Sequence, residues 1–264
     1  MPLLLTGATR LFPIIGDPII YARSPEFFSA SLQARGANAL CVPMQVALGS
    51  LEPVMQALAV TPNVDGILVT MPHKFEVTRH CATLSETSRL FGAVSVIRRN
   101  ADGSWHGDSQ DGASFVKAQI DQGATVTGAR ALLIGAGGAG SAIAIALLDA
   151  GLGELVVHDI DERRMTALVH ILNERNPGMV KAGPPDPTGC DLLCHATNLG
   201  MTANDPLPVA PELLTPALFV GDVIAGHGET ALIRAARLAG CKTATGDEMV
   251  RAVQGMMVDY MLSL

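Results

Sequence analysis

The chain has 264 residues, 48% of them hydrophobic and only 16% charged, with a formal net charge of −7. That length suits one large or two modest domains with sizeable cores. Scarce Lys and Arg exclude a phosphate-neutralising nucleic-acid groove, and no run reaches the roughly 18 uninterrupted apolar residues of a membrane helix. Leu11 to Gly16 predicts a strand and turn, and Ser24 a cap for a helix with Pro25 in its first turn. Ala39 to Met44 predicts a strand, Leu51 to Leu58 a helix, and Gly66 to Thr70 a third strand. That strand ends in the turn Met71-Pro72-His73-Lys74, after which a helix through Glu76 to Leu84 is expected. Val94 to Arg99 and Ser104 to Gly107 predict a hairpin across Asp102-Gly103. Asp111 follows in a polar stretch, and a helix through Phe115 and Ile120 leads onward.

The most informative run comes next. Apolar Ala131 to Ile134 reads as a buried strand, Ser141 to Leu148 as a helix, and Gly135-Ala136-Gly137-Gly138-Ala139-Gly140 lies between them. Strand, glycine turn and helix describe a site for a dinucleotide pyrophosphate. Gly135 permits the tight turn, Gly137 lets backbone approach the phosphates, and Gly140 allows close helix–strand packing. The N–H groups and dipole at the helix start hold the negative charge. The next strand, Glu154 to His158, ends at Asp159, roughly twenty residues after the glycines, where an acid hydrogen-bonds the adenosine ribose. Asp159 and Asp161 repel a 2′-phosphate, whereas Arg163 and Arg164 lie near enough to pair with one. The carboxylate at the strand end leads us to expect NAD in preference to NADP.

Leu192 to His195 and Phe219 to Asp222 predict later strands, Thr230 to Leu238 a helix ending at Gly240, and Glu248 to Leu262 a core-facing final helix. Cys41, Cys81, Cys190, Cys194 and Cys241 are scattered among apolar neighbours. They form no CxxC pair, and with no metal motif we expect no bound metal. The start lacks the basic-then-apolar pattern of a secretory signal, so a reducing cytoplasmic setting is expected. A small-molecule substrate is the expected partner, with no nucleic acid and no membrane, and a homodimer is the assembly considered.

Two polar residues suit redox chemistry. Oxidising an alcohol requires hydride departure and proton removal, and a lysine beside a carboxylate handles the proton. Lys74, just past a strand, suits that role, although it also reads as a solvated surface charge, and Asp111 also reads as a helix cap.

The larger pattern resembles the shikimate and quinate dehydrogenase family over nearly the whole length. The anchors are Gly16-Asp17-Pro18 with Ser24-Pro25, Val69-Thr70-Met71-Pro72-His73-Lys74, Gly92-Ala93-Val94 and Asp111-Gly112. The glycine loop, Ala196-Thr197-Asn198-Leu199-Gly200-Met201, Asp222 with Thr230, and Gly246-Asp247-Glu248-Met249 with Gln254 continue the same order. The resemblance implies an α/β fold of two domains. Residues 1–108, completed by 241–264, form an α/β substrate domain, and 109–240 form a Rossmann-type dinucleotide domain. The C-terminal helix returns to the first domain.

The resemblance also implies hydride transfer between a hydroxylated ring acid and nicotinamide, with Lys74 and Asp111 as the catalytic pair. Ser24, Thr70, Ser95 and Gln254 match substrate-pocket positions, and Arg23 stands beside them. Ala136, Gly138, Ala139, Thr197, Asn198 and Asp222 join the cofactor side. The chain departs from the family in its pocket. Ala22 stands where a carboxylate-binding serine is usual, and Ala225 replaces a tyrosine. Leu68, Ser95 and Ser109 stand at asparagine positions. Each unpaired substrate group costs roughly 1–3 kcal/mol, so shikimate, quinate and related ring acids all stay open. A dinucleotide-responsive binding protein is the alternative reading: it would keep the glycine loop and Asp159 without a productive Lys74 and Asp111.

Overall fold

The computed structural model describes residues 5–202 and 204–262, with the side chain of residue 254 outside that description. The chain forms two compact units, 1–110 with 253–264, and 111–252.

The first unit is built on a mixed six-stranded sheet of order β2-β1-β3-β5-β6-β4. Its strands are β1 (Arg10–Gly16), β2 (Ala39–Gln45), β3 (Gly66–Val69), β4 (Thr83–Leu84), β5 (Val96–Arg99) and β6 (Trp105–Asp108). β1 runs parallel to β2 and β3, and β5 pairs antiparallel with β3 and β6. Successive strand residues face opposite sides, which divides the core in two. Phe12, Ile14, Leu68 and Val96 pack on one side with Phe28 and Leu32 of α1 (Ser24–Ala34), and with Val253, Met257, Val258 and Met261 of α8 (Gly246–Leu262). Phe12 and Phe28 meet edge to face, with centroids 5.5 Å apart. Ile15, Ile67, Val69 and Ile97 pack on the other side with Leu51, Met55 and Leu58 of α2 (Leu51–Ala59). Each such side chain contributes about 1.5–3 kcal/mol when fully buried.

Two local expectations are corrected. Arg23 occupies the cap position of α1 and Ser24 is the first helical residue. The helix expected from Glu76 to Leu84 is a 3-10 turn, Glu76–His80, followed by β4. β4 pairs with the far side of β6, so sheet hydrogen bonds outcompete continuation of the turn. The short α3 (Glu86–Phe91) follows, capped by Ser85, whose side chain accepts from Ser88 N–H.

The second unit carries an all-parallel sheet of order β12-β11-β10-β7-β8-β9. Its strands are β7 (Arg130–Ile134), β8 (Glu154–His158), β9 (Val180–Ala182), β10 (Leu192–His195), β11 (Phe219–Asp222) and β12 (Lys242–Ala244). Its helices are α4 (Asp111–Asp121), α5 (Gly138–Asp149), α6 (Glu162–Arg175) and α7 (Ala231–Leu238). The order reverses between β7 and β10, the doubly wound pattern whose ligands bind at the strands' carboxyl ends. Apolar runs such as Ala131 to Ile134 suit strands buried on both faces. β12 joins this sheet, so residues 242–244 pack in the second unit, and the return of the chain to the first unit falls at 253 where the sequence suggested 241. Among the described residues no helix is long and apolar enough to cross a membrane.

Candidate functional site

The glycine turn joins β7 to α5 at the point where the strand order reverses. Gly135 has φ +105°, and a Cβ there would stand 2.6 Å from the Ala196 carbonyl oxygen. Only glycine satisfies both the left-handed backbone and the close approach. A Cβ on Gly140 would overlap the Gly135 carbonyl, so helix and turn meet in backbone contact. Gly137 caps α5 without a side-chain hydrogen bond, and a Cβ there would meet nothing within 4 Å. The helix start at Gly137 is therefore unobstructed on the side where a side chain would stand. Unscreened N–H groups at a helix start, bordered by room for a ligand, fit a dinucleotide pyrophosphate. Ala136, Gly138 and Ala139 complete the turn, with Ala136 buried beneath it.

Asp159 follows β8 and is buried. Its Oδ2 accepts from Ala136 N–H at 2.6 Å and its Oδ1 from Asp161 N–H at 2.8 Å. The carboxylate thus ties the glycine turn to the end of β8. Asp161 caps α6 by accepting from the Arg163 and Arg164 N–H groups. The exposed Arg164 guanidinium lies 3.8 Å from Asp159 Oδ2 and 3.5 Å from Asp161 Oδ2. Thr197 and Asn198 follow β10, the first half-buried and the second exposed. Asp222 ends β11 at 1% exposure. It accepts from Thr230 Oγ1–H at 2.6 Å and Ile224 N–H at 3.1 Å, and His195 Nδ1 lies 3.1 Å away. Sequence reasoning named Asp222 and missed this buried network. Its signal was polar His195 and Asp222 closing two otherwise apolar strands.

Lys74 is half-buried in the first unit, between the end of β3 and the 3-10 turn, and its carbonyl accepts from Val94 N–H at 2.8 Å. Asp111 opens α4 in the second unit, half-buried. Gly112 behind it is pressed against the Ala142 carbonyl of α5. In the first unit, Thr70 follows β3 and its N–H donates to the Ile15 carbonyl at 2.9 Å. Ser24 and Arg23 stand at the start of α1, where the Arg23 guanidinium pairs with Glu26 at 3.0 Å and lies 4.9 Å from the Phe27 ring centroid. Ser95 is buried, and its Oγ accepts from Gln110 N–H at 2.9 Å. Gln254 lies on α8, and its side chain is outside the described residues.

Residues 14–97 match the shikimate dehydrogenase substrate binding domain. The chain is 38% identical to a shikimate dehydrogenase (NADP(+)) of Rubrobacter xylanophilus over 252 residues, covering 93% of this chain and 88% of that one. It is 32% identical to a Rhodospirillum rubrum shikimate dehydrogenase (NADP(+)), covering 92% and 88%. A shikimate dehydrogenase crystal structure in complex with NADP+ matches with a TM-score of 0.90 at 25% identity, over 99% of this chain and 92% of that chain. A quinate dehydrogenase of Corynebacterium glutamicum in complex with NAD matches with a TM-score of 0.83 at 27% identity, over 97% and 94%.

These likenesses bear out the expected two-domain α/β fold with a Rossmann-type unit, and they correct the cofactor. The expectation of NAD rested on Asp159, whereas the curated relatives are named for NADP(+) and the structure at TM-score 0.90 holds NADP+. The physical reason lies in the turn. The Arg164 guanidinium lies 3.8 Å from Asp159 Oδ2, a cation beside the negative charge that was expected to repel a 2′-phosphate. With a relative this similar across nearly its full length, the chain belongs to the shikimate/quinate dehydrogenase family, a shikimate-type oxidoreductase.

Proposed function

We propose that the protein interconverts a hydroxylated ring acid, shikimate or a close analogue, and the corresponding ring ketone with NADP(H). The glycine turn at the start of α5 carries this reading, because its unobstructed Gly137 and uncapped helix start suit a pyrophosphate. Gly135 to Gly140 would hold the pyrophosphate, and Arg164 would face a 2′-phosphate. When bound, the nicotinamide supplies the acceptor for a hydride from the carbinol carbon, or its donor in reverse. Lys74 takes the hydroxyl proton at Nζ as the ketone forms and returns it in reduction. Asp111 is the second polar residue of this reading, accepting a hydrogen bond from the reacting hydroxyl. Ser24, Thr70 and Gln254 supply hydrogen bonds to the ring substituents. Ser95 Oγ accepts the Gln110 N–H and keeps its own proton to donate to the substrate.

The test is steady-state oxidation of shikimate and quinate with NADP+ and with NAD+, on the parent and on Lys74→Ala. We expect the highest kcat/KM with NADP+. In Lys74→Ala, kcat should drop by about 10²-fold or more while NADP+ affinity stays within about twofold. An unchanged kcat would remove Lys74 from proton transfer. Tight NADP+ binding with no turnover of any ring acid by the parent would instead mark a dinucleotide-responsive binding protein.

A further inference from the structure

At the carboxyl ends of β10 and β11, beside the reversal of strand order, a continuous polar chain lies inside the second unit. Thr230 caps α7, accepting from Ile233 N–H at 3.3 Å, and donates to Asp222 at 2.6 Å. His195 is fully buried, with Nδ1 3.1 Å from Asp222 Oδ1 and Nε2 2.6 Å from Thr197 Oγ1. Thr197 Oγ1 also accepts from Leu199 N–H at 3.1 Å. The Asp222 carboxylate only accepts, so Nδ1–H donates to it, which leaves Nε2 to hydrogen-bond the Thr197 hydroxyl. Thr197 Oγ1 is thereby held by the ring and by the Leu199 N–H.

That grip bears on the glycine turn. A Cβ on Gly135 would stand 2.6 Å from the Ala196 oxygen and 2.9 Å from Thr197 Cγ2, so residues 196 and 197 form the floor beneath the turn. The next turn is held separately, with Gly200 N–H donating to Asp205 at 2.8 Å. The His195 ring links Thr197 to the sheet interior. A fully buried imidazole is costly to desolvate, and here both its ring nitrogens are hydrogen-bonded, one to Asp222 and one to Thr197.

We propose that His195 is a positioning residue: through Thr197 it locks the 196–199 segment against the glycine turn and so sets the shape of the cofactor pocket. The proposal rests on the reading that the second unit binds the dinucleotide. His195 touches no reacting atom in this account and acts by holding its neighbour.

The test uses the full chain with His195→Asn, Thr197→Val, the double variant and Thr197→Ser. NADP+ affinity is measured by calorimetry, and KM and kcat by steady-state assay on samples with parental circular dichroism. One lost hydrogen bond corresponds to about a fivefold change. His195→Asn and Thr197→Val should each raise the Kd and KM for NADP+ about fivefold to tenfold, with KM for the ring acid within about twofold. The double variant should lose no more than the weaker-binding single variant, because both remove the same link. Thr197→Ser should recover most of the loss. Parental affinity in folded Thr197→Val, or losses that multiply in the double variant, would overturn the proposal. If His195→Asn does not fold, His195→Gln takes its place in the cycle, and parental affinity in that folded variant would overturn the proposal. A parent protein that binds no dinucleotide would instead refute the reading of the second unit.

Discussion

Asp159 shows how one carboxylate reads differently in one dimension and in three. Its place at the end of β8 suggested a contact to ribose, yet its oxygens accept the Ala136 and Asp161 N–H groups. The carboxylate therefore supports the glycine turn. Asp159→Ala would leave the buried Ala136 N–H without its acceptor, a loss of roughly 1–3 kcal/mol. We expect the variant to weaken NADP+ and NAD+ together by about tenfold. Calorimetry with both cofactors checks this, and a loss confined to one of them would return Asp159 to the role of a ribose reader. Lys74 and Asp111 stand differently. Their residue types and motif positions were legible, but neither motif states the other's distance, because one residue follows β3 and the other opens α4 in a separate unit.

Among elements, the contact between α4 and α5 is a tight constraint near the site. A Cβ on Gly112 would overlap the Ala142 carbonyl of α5, so the helices approach to backbone contact just behind Asp111. Gly112→Ala must push α4 away or strain its start. We expect about 1–3 kcal/mol of destabilisation in urea unfolding, with kcat reduced as Asp111 shifts. Unchanged stability would mean that α4 yields freely. The turn after β10 offers a second test. Asp205 accepts from Gly200 N–H, Thr202 N–H and the Thr202 hydroxyl, at 2.8, 3.0 and 2.7 Å. The hydrogen bond from the Thr202 hydroxyl, helped by these backbone donors, holds its carboxyl below the usual carboxylate range. A depressed carboxyl favours the folded turn above its ordinary value of about 3.9, and that support is lost as pH falls through the lower, folded value. The Gly200 and Thr202 amide resonances should therefore titrate together with a midpoint below about 3.9. A midpoint at or above it would sever the link.

Across the whole molecule, the five cysteines share one fate. Burial pushes the Cys41, Cys81 and Cys194 thiols up to about 12, and raises Cys190 and Cys241 as well. Thiolate is the reactive form, so the native chain should take up little iodoacetamide at pH 8 and five equivalents once unfolded. Rapid modification of the native chain, read by mass spectrometry, would contradict that burial. Long periodic elements and the strand–glycine–helix signature were legible because their causes are local: alternation, helical spacing, and a turn only glycine can make. The short β4, β9 and β12 were not, since each owes its strand form to a neighbour's hydrogen bonds rather than to its own two or three residues. By itself the sequence determined the fold class, the family and the glycine turn. Tertiary structure alone decided that Asp159 holds the turn and that His195 grips Thr197, because hydrogen-bond partners distant along the chain are chosen only when the strands carrying them lie side by side.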